Sequence, residues 1–403
     1  MLENIQPAPP DAILGLTEAF KEDDNPRKIN LGVGVYQDSD GRTPLLKSVA
    51  RAEERLLEIE ESKSYLPIPG APQYGRAVRE LLFGKDAPQI DSGSAVTCHA
   101  PGGTGALRVG ADFLRKFHPD SKVWLSAPTW ANHKGIFPAA GFELAPYPYY
   151  DPETHGLDFE AMKTALESVP ANDIVLLHAC CHNPTGVDLD QQQWDELVEI
   201  AKRRGWIPFL DFAYQGFGVG LEEDASSLRK LVSQGLEFII ASSFSKNFSL
   251  YYERAGALTV VLKNGERAAA AFSHLKKTVR TNYSNPPAHG GLIVATILSD
   301  PELKSLWESE VAAMRERLAG MRKLFVEKMR HYCPELDFSF IEKQHGMFSF
   351  SGLTPDQVAW LRDERSIYIV GSGRINTAGI REGNIDYLCE SIKAAMEAVP
   401  EEG

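Results

Sequence analysis

Lys246 stands in Ser243-Phe244-Ser245-Lys246-Asn247-Phe248, after the largely apolar run Phe238-Ile239-Ile240-Ala241. The run reads as a buried strand, so the amine sits where that strand opens into a loop. An ammonium is costly to desolvate, and a lysine fixed there among hydroxyls is a candidate for a lowered pKa and for Schiff-base chemistry with a carbonyl cofactor. Taken alone the signal is weak, because most lysines at strand ends are solvated surface groups.

Other apolar runs also end in polar residues. Trp206-Ile207-Pro208-Phe209-Leu210 delivers Asp211 at its end and Tyr214 three residues later. A buried Asp needs a cationic or strongly donating partner, and a protonated pyridine nitrogen would be one; an Asp capping the next helix is the plainer reading. Pro101-Gly102-Gly103-Thr104-Gly105 follows a strand and opens a helix, which gathers free N–H groups and the positive end of the helix dipole at one spot and suits a phosphate. The GxGxxG spacing of dinucleotide sites is absent and no Gly-Lys-Ser/Thr follows, so a simple tight turn is the competing reading.

His178-Ala179-Cys180-Cys181-His182-Asn183-Pro184 leaves a strand into an Asn-Pro turn rather than following one helix face. No metal site is therefore expected from it, and Asn183 is the better candidate for contacting a ligand. Arg254 follows Lys246 by eight residues, close enough for both to face one phosphate. Arg280 and Arg374 lie in turn-rich segments, and guanidinium groups suit bidentate capture of carboxylates, although a surface ion pair is the ordinary fate of any one such residue.

The elements that must position these residues follow an α/β pattern. Short apolar runs recur between amphipathic segments from about residue 94 to residue 262: Ser94–Cys98, Lys122–Leu125, Ile174–Leu177, Trp206–Leu210 and Phe238–Ile240. Continuous apolar runs of this kind suit strands covered on both faces, hence a mostly parallel sheet. Pro301 to Arg330 is a long charged helical stretch with apolar residues at spacings of mostly three or four, expected to bridge domains. After it, Phe338–Ile341, Met347–Phe350 and Ile367–Val370 read as short strand-like runs of a smaller α+β domain. A chain of 403 residues, 43% of them hydrophobic, is long enough for two domains.

Charge and cysteine content narrow the partners. With 42 basic against 55 acidic residues the net charge is −13, and no Lys/Arg-rich run is present, which argues against nucleic acid or an anionic membrane as partner. Five cysteines without CxxC spacing indicate neither a disulfide framework nor a zinc site and fit a reducing cytoplasm. The first residues do not read as a signal peptide, and no stretch is apolar enough to span a bilayer.

Together these segments resemble the fold-type I pyridoxal-phosphate enzymes, specifically the aspartate/aromatic branch of the class I aminotransferases. The resemblance runs nearly end to end and is carried by Asn30-Leu31-Gly32-Val33-Gly34-Val35-Tyr36, Gly102–Leu107, His182-Asn183-Pro184-Thr185-Gly186, Asp211–Gly216, Ser243–Phe248 and Ser372-Gly373-Arg374-Ile375-Asn376. It implies a large cofactor-binding domain over 44–312 and a small domain, 1–43 with 313–403, that closes over substrate. It implies that Lys246 tethers pyridoxal 5'-phosphate covalently and shuttles the substrate Cα proton, that Asp211 keeps the pyridine nitrogen protonated, and that Tyr214 and Asn183 hydrogen-bond the ring oxygen. Trp130 would stack on the ring, and His133 and His178 would orient Asp211. Gly103, Thr104, Ser243, Ser245 and Arg254 would hold the phosphate, with Tyr65 reaching in from a second subunit of a homodimer. Arg374 would grip the substrate α-carboxylate. Arg280 and Asn285 of the second subunit would meet its side-chain end, and Gly34, with Ile13 and Leu14, would lie on the closing face.

The expected reaction is ping-pong transamination of L-aspartate with 2-oxoglutarate. Arg280 points to dicarboxylates, and Thr104 and Asn285 look more like the aspartate branch, but aromatic members can retain such an arginine. An aromatic-amino-acid aminotransferase is therefore the alternative within the branch. Rivals from other classes are a nicotinamide oxidoreductase, which lacks its fingerprint here, and a non-catalytic binding protein on the same fold, which the complete Lys, Asp, Tyr and Arg set argues against.

Overall fold

The computed structural model describes residues 5–7 and 12–400, except for the side chains of residues 12–14. Its centre is a seven-stranded sheet, with the strands in the spatial order Ala95–Pro101, Ala255–Val261, Phe238–Ser243, Ile207–Phe212, Ile174–His178, Lys122–Ala127 and Glu143–Pro148. Every neighbouring pair is parallel except those made by Ala255–Val261, which runs antiparallel to both of its neighbours. All five residues of Ile174–His178 and all seven of Ala255–Val261 are buried, as sheets covered by helices on both faces require.

The covering helices carry their own start and stop signals. Gln191–Arg204 begins with a capping box between Asp190 and Gln193 and ends at Gly205, whose φ of 75° is left-handed, a conformation that costs any residue with a Cβ. Pro301–Tyr332 spans 32 residues, with Asp300 accepting hydrogen bonds from the N–H groups of Glu302 and Leu303. Up to Leu318 it buries Leu303, Trp307, Val311, Met314 and Leu318 in the main core. Phe325, Val326 and Met329 instead pack with Ile29, Leu31, Ile367 and Ile375 in a separate core. One helix thus ties two hydrophobic centres together.

The second core is organised by two small sheets. Ile29–Asn30 pairs in parallel with Ile367–Tyr368, and Phe348–Phe350 pairs antiparallel with Arg374–Asn376. The run Phe338–Ile341 departs from the extended conformation expected of it: Ser339–Lys343 is a 3-10 turn. Asp337 accepts hydrogen bonds from both the N–H and the hydroxyl of Ser339, a local bonding pattern that competes with a strand ladder. No helix among the described residues is long and apolar enough to cross a membrane.

Candidate active site

The antiparallel strand explains why the candidate residues converge. Ala95–Pro101 and Phe238–Ser243 finish at one end of the sheet, and Ala255–Val261, running the other way between them, begins there. The register sets Ala255 opposite Pro101 and Gly256 opposite Ser243, so Arg254, Gly102 and Ser243 meet although about 150 residues of chain separate the first pair. Parallel pairing sets Asp211 beside His178 on one side and Ala241 on the other. A cavity of about 270 Å³ opens at this end.

One wall of the cavity is cationic. The helix Gly102–Phe117 starts here without an acidic residue in its first turn and without a side-chain cap, leaving N–H groups free near Gly103 and Thr104. Gly102 has φ +73°, and a Cβ built on it would lie 2.4 Å from Arg254 Nη2. A glycine is required both for the turn and for the approach of the guanidinium. Ser243 and Ser245 are buried at the cavity, and Arg254 donates from Nη1 to the carbonyl of Tyr251 at 2.9 Å. Free N–H groups, hydroxyls and a guanidinium gathered around one turn make a cup whose chemistry suits a phosphate.

Opposite the cup, Lys246 lines the cavity with Nζ 4.9 Å from the centroid of the Tyr214 ring. Burial lowers its pKa to about 8, against an opposing pull from Asp211 and a further lowering by Arg254. Near neutrality a usable fraction of the amine is therefore unprotonated. Asp211 is 5% exposed; burial pushes its carboxyl up, but His133, with His178 and Lys246, outweighs that and holds it below the usual carboxylate range. His133 Nε2 lies 3.0 Å from Asp211 Oδ2, and its Nδ1 lies 2.8 Å from Thr129 Oγ1. The Trp130 ring meets the His133 ring edge to face at 5.2 Å and lines the cavity.

His178, expected with His133 to orient Asp211, makes no hydrogen bond to it. It lines the cavity beside Asp211, but neither ring nitrogen has a hydrogen-bond partner, and burial lowers its pKa to about 4. The ring is neutral near pH 7, and orientation of the carboxylate falls to His133. Nitrogen and oxygen atoms of His133, His178 and Asp211 lie within 4.8 Å of one another, a spacing a metal could use. The direct bond from His133 to Asp211 and the location beside an amine fit support of a carboxylate instead.

A third group has the chemistry to bind a carboxylate. Arg374 is 5% exposed, yet its hydrogen bonds go to neutral oxygens: Nη2 donates to the carbonyl of Gly32 at 2.8 Å and Nη1 to Asn183 Oδ1 at 3.4 Å. Its guanidinium carbon lies 4.1 Å from the centroid of the Phe348 ring, and Nε has no partner. A buried guanidinium with unspent donors in a cavity is a receptor for an anion. Gly34 completes this side, where a Cβ would sit 3.4 Å from Phe348 Cζ.

Three of the expected residues lie elsewhere in this chain. Tyr65 is 92% exposed, Arg280 is exposed on the Gly265–Asn282 helix with Nη1 donating to Ser284 Oγ, and Asn285 is half-buried; none lines the cavity. The side chains of Ile13 and Leu14 fall outside the described residues. Conversely, Tyr251 and Phe348 line the cavity although sequence reasoning did not single them out. Tyr251 accepts a hydrogen bond from the Tyr36 N–H at 2.7 Å, and its position five residues after Lys246 was the one available signal. Phe348 gave none, because an aromatic in a short apolar run reads as core.

The donor set fits pyridoxal phosphate group by group: an amine for its aldehyde, a carboxylate for its ring nitrogen, a flat indole for its ring and the cup for its phosphate. Known proteins agree. An aspartate aminotransferase of Salmonella typhi is 54% identical over 98% of this chain and 100% of its own length. The solved aromatic-amino-acid aminotransferase of Burkholderia pseudomallei, covalently bound to pyridoxal phosphate, superposes with a TM-score of 0.96 at 49% identity, covering 98% of this chain and 99% of that one. A psychrophilic aromatic amino acid aminotransferase from Psychrobacter sp. B6, cocrystallised with aspartic acid, gives 0.97 at 43% identity over 98% of this chain and 100% of that one. The family model for aminotransferase class I and II matches residues 26–392, and with a lysine, a carboxylate and an arginine gathered in one cavity, the chain belongs to that family.

Proposed function

We propose that this enzyme transfers the amino group of L-aspartate to 2-oxoglutarate, releasing oxaloacetate before the second substrate binds and L-glutamate after it. The observation that carries the aminotransferase part of the reading is the buried Arg374 guanidinium, free of any carboxylate partner among the described residues, in the cavity that also holds Lys246 and Asp211. Identity of 54% to an aspartate aminotransferase supports the substrate.

Pyridoxal phosphate, when bound, supplies a sink for the electron pair left as the substrate Cα loses its proton. Lys246 would hold the cofactor through Nζ, and its free amine would be the base that takes the substrate Cα proton and carries it for return. Its lowered pKa suits both tasks. Asp211, kept anionic and oriented by His133, holds the proton on the ring nitrogen. Gly103, Thr104, Ser243, Ser245 and Arg254 would hold the phosphate, Tyr214 and Asn183 would bond to the ring oxygen, and Trp130 would stack on the ring. Arg374 aligns the substrate α-carboxylate.

The complete site takes two copies of the chain. Tyr65, Arg280 and Asn285 reach the cavity of the partner subunit in this reading, the arginine facing the second carboxylate of a dicarboxylic substrate. The nearly full exposure of Tyr65, together with 86% exposure of Tyr252 and 65% of Leu45, supports a face covered by another chain. We also infer a large domain over 44–312 and a closing domain from 1–43 and 313–403. A cytoplasmic setting is supported by five free, buried cysteines.

The aromatic reading keeps one specific support, the name of the two solved relatives. Relative kcat/KM for aspartate and phenylalanine, each with 2-oxoglutarate, separates the two. A preference for phenylalanine would overturn the aspartate assignment and leave the aminotransferase standing.

A further inference from the structure

Arg322 is a buried cation that the reaction does not use. It projects from the Pro301–Tyr332 helix and is 3% exposed. Burial lowers its pKa to about 10, so it stays charged near neutrality. All its hydrogen bonds go to one short segment: Nε to Ser349 Oγ at 3.0 Å, and Nη2 to the carbonyls of Gly346 at 2.6 Å and Phe348 at 3.0 Å. A guanidinium is expensive to strip of water, and one retained in the interior is informative about what it bonds.

That segment is the junction of the carboxylate site. Phe348 presents its ring to the Arg374 guanidinium at 4.1 Å and meets the Tyr214 ring in a T-shaped pair, with centroids 6.2 Å apart. In the small sheet, Phe350 lies opposite Arg374. The turn that carries Asn183 docks on the same segment by backbone bonds, His345 N–H to the Gly186 carbonyl at 2.7 Å and Phe350 N–H to the Thr185 carbonyl at 3.4 Å. The approach is so close that a Cβ on Gly186 would lie 2.5 Å from the Phe348 carbonyl oxygen. Arg322 therefore ties the long helix to the one place where Phe348, Arg374 and the Asn183 turn are fixed relative to one another.

We propose that Arg322 is a positioning residue for carboxylate recognition: by clamping Gly346–Ser349 it sets the Phe348 ring against Arg374 and so aims that guanidinium at the substrate. The proposal rests on Arg374 being the α-carboxylate receptor. Without the clamp, the Gly346 and Phe348 carbonyls lose their donor and the ring beneath Arg374 loses its anchor, while the phosphate cup, built on other strands, is untouched.

The test is calorimetric titration of the holoenzyme with succinate, a dicarboxylate that lacks the reacting amine, alongside titration of the apoenzyme with pyridoxal phosphate. Arg322→Met is expected to weaken succinate about tenfold or more, as loss of a charge-assisted contact predicts, with cofactor affinity held within about twofold. Arg322→Lys, which restores an ammonium donor, recovers most of the loss. Succinate affinity unchanged in Arg322→Met, or succinate and cofactor affinities falling together, would overturn the proposal. If the Met variant does not fold, Ser349→Ala removes one of the three bonds alone and is expected to weaken succinate about threefold, an unchanged affinity again counting against the clamp. Arg374→Leu is the separate control: full succinate binding there refutes the receptor reading itself, whatever Arg322 does.

Discussion

His133 Nε2 lies 3.0 Å from Asp211 Oδ2, and this contact leads the groups that favour the charged carboxylate against its burial. Burial alone would push the Asp211 carboxyl up, and His133 leads the groups that pull it down. A depressed carboxylate stays anionic as pH falls to its folded-state value, and its grip on a protonated ring nitrogen is lost below that. His133→Phe leaves burial unopposed by its chief counterweight, so the acid limb of cofactor retention is expected to move to higher pH. Cofactor affinity measured across acidic pH for both proteins checks this; superimposable limbs would assign the depression to other groups.

Lys246 carries a stability cost. Its pKa is about 8 in the folded chain against an ordinary 10.5, so between those values the unfolded chain binds the proton more tightly. Stability therefore rises with pH across that window, and below about 8 the full penalty applies. Apo Lys246→Met should be more stable than the apo wild type at pH 7, by up to about 3 kcal/mol, with the gap closing toward pH 10.5. Urea denaturation at both pH values measures it. A variant less stable at pH 7 would mean that the amine is not desolvated.

The two substrate arginines should separate by substrate. Arg374→Leu is expected to lower kcat/KM for aspartate and phenylalanine alike, by about a thousandfold, since each carries an α-carboxylate. Arg280→Leu should damage aspartate turnover about a hundredfold and spare phenylalanine. Equal losses from Arg280→Leu would remove the basis for a dicarboxylate preference.

A site shared between chains predicts complementation. On aspartate, Lys246→Ala should be inactive and Arg280→Leu nearly so, but a hybrid of the two holds one intact site. Random reassociation gives roughly a quarter of wild-type activity, because half the dimers are hybrids with one working site of two. No recovery after demonstrated exchange would confine each site to one chain.

Gly102→Ala tests the cup. The φ of +73° costs a Cβ-bearing residue about 1–2 kcal/mol, and the new methyl meets Arg254 Nη2. Pyridoxal phosphate affinity should fall by at least about tenfold while the far side of the cavity keeps its succinate affinity in protein saturated with cofactor. An unaltered cofactor affinity would place the phosphate elsewhere.

Much of this was legible in the sequence for a simple reason: Asp211 and Lys246 each follow an apolar run, and a strand end is where a covered sheet can hand a polar group to a ligand. What was not legible depends on pairing. The meeting of Arg254 with Gly102 follows from the antiparallel placement of Ala255–Val261, which no local pattern announces. The same holds for His178, whose neighbour across the sheet is Asp211 but whose ring nitrogens make no bond to it. Arg322 looked like one more charge on a charged helix, and its burial belongs to the tertiary fold. Ser339–Lys343 was misread because two bonds from Asp337 outweighed a run of apolar residues.

The antiparallel strand of the seven-stranded sheet also bears on the order of folding during synthesis. A growing chain that has finished Phe238–Ser243 already contains the glycine turn, Asp211 and the serine that ends that strand, yet the strand that belongs between Ala95–Pro101 and Phe238–Ser243 has not been made. Until residues 255–261 leave the ribosome and slot into that gap, the two flanking strands cannot be held at their final separation. Cofactor capture is thereby postponed until nearly two thirds of the polypeptide exists, and a truncated product ending short of that strand would be left without a phosphate-binding cup.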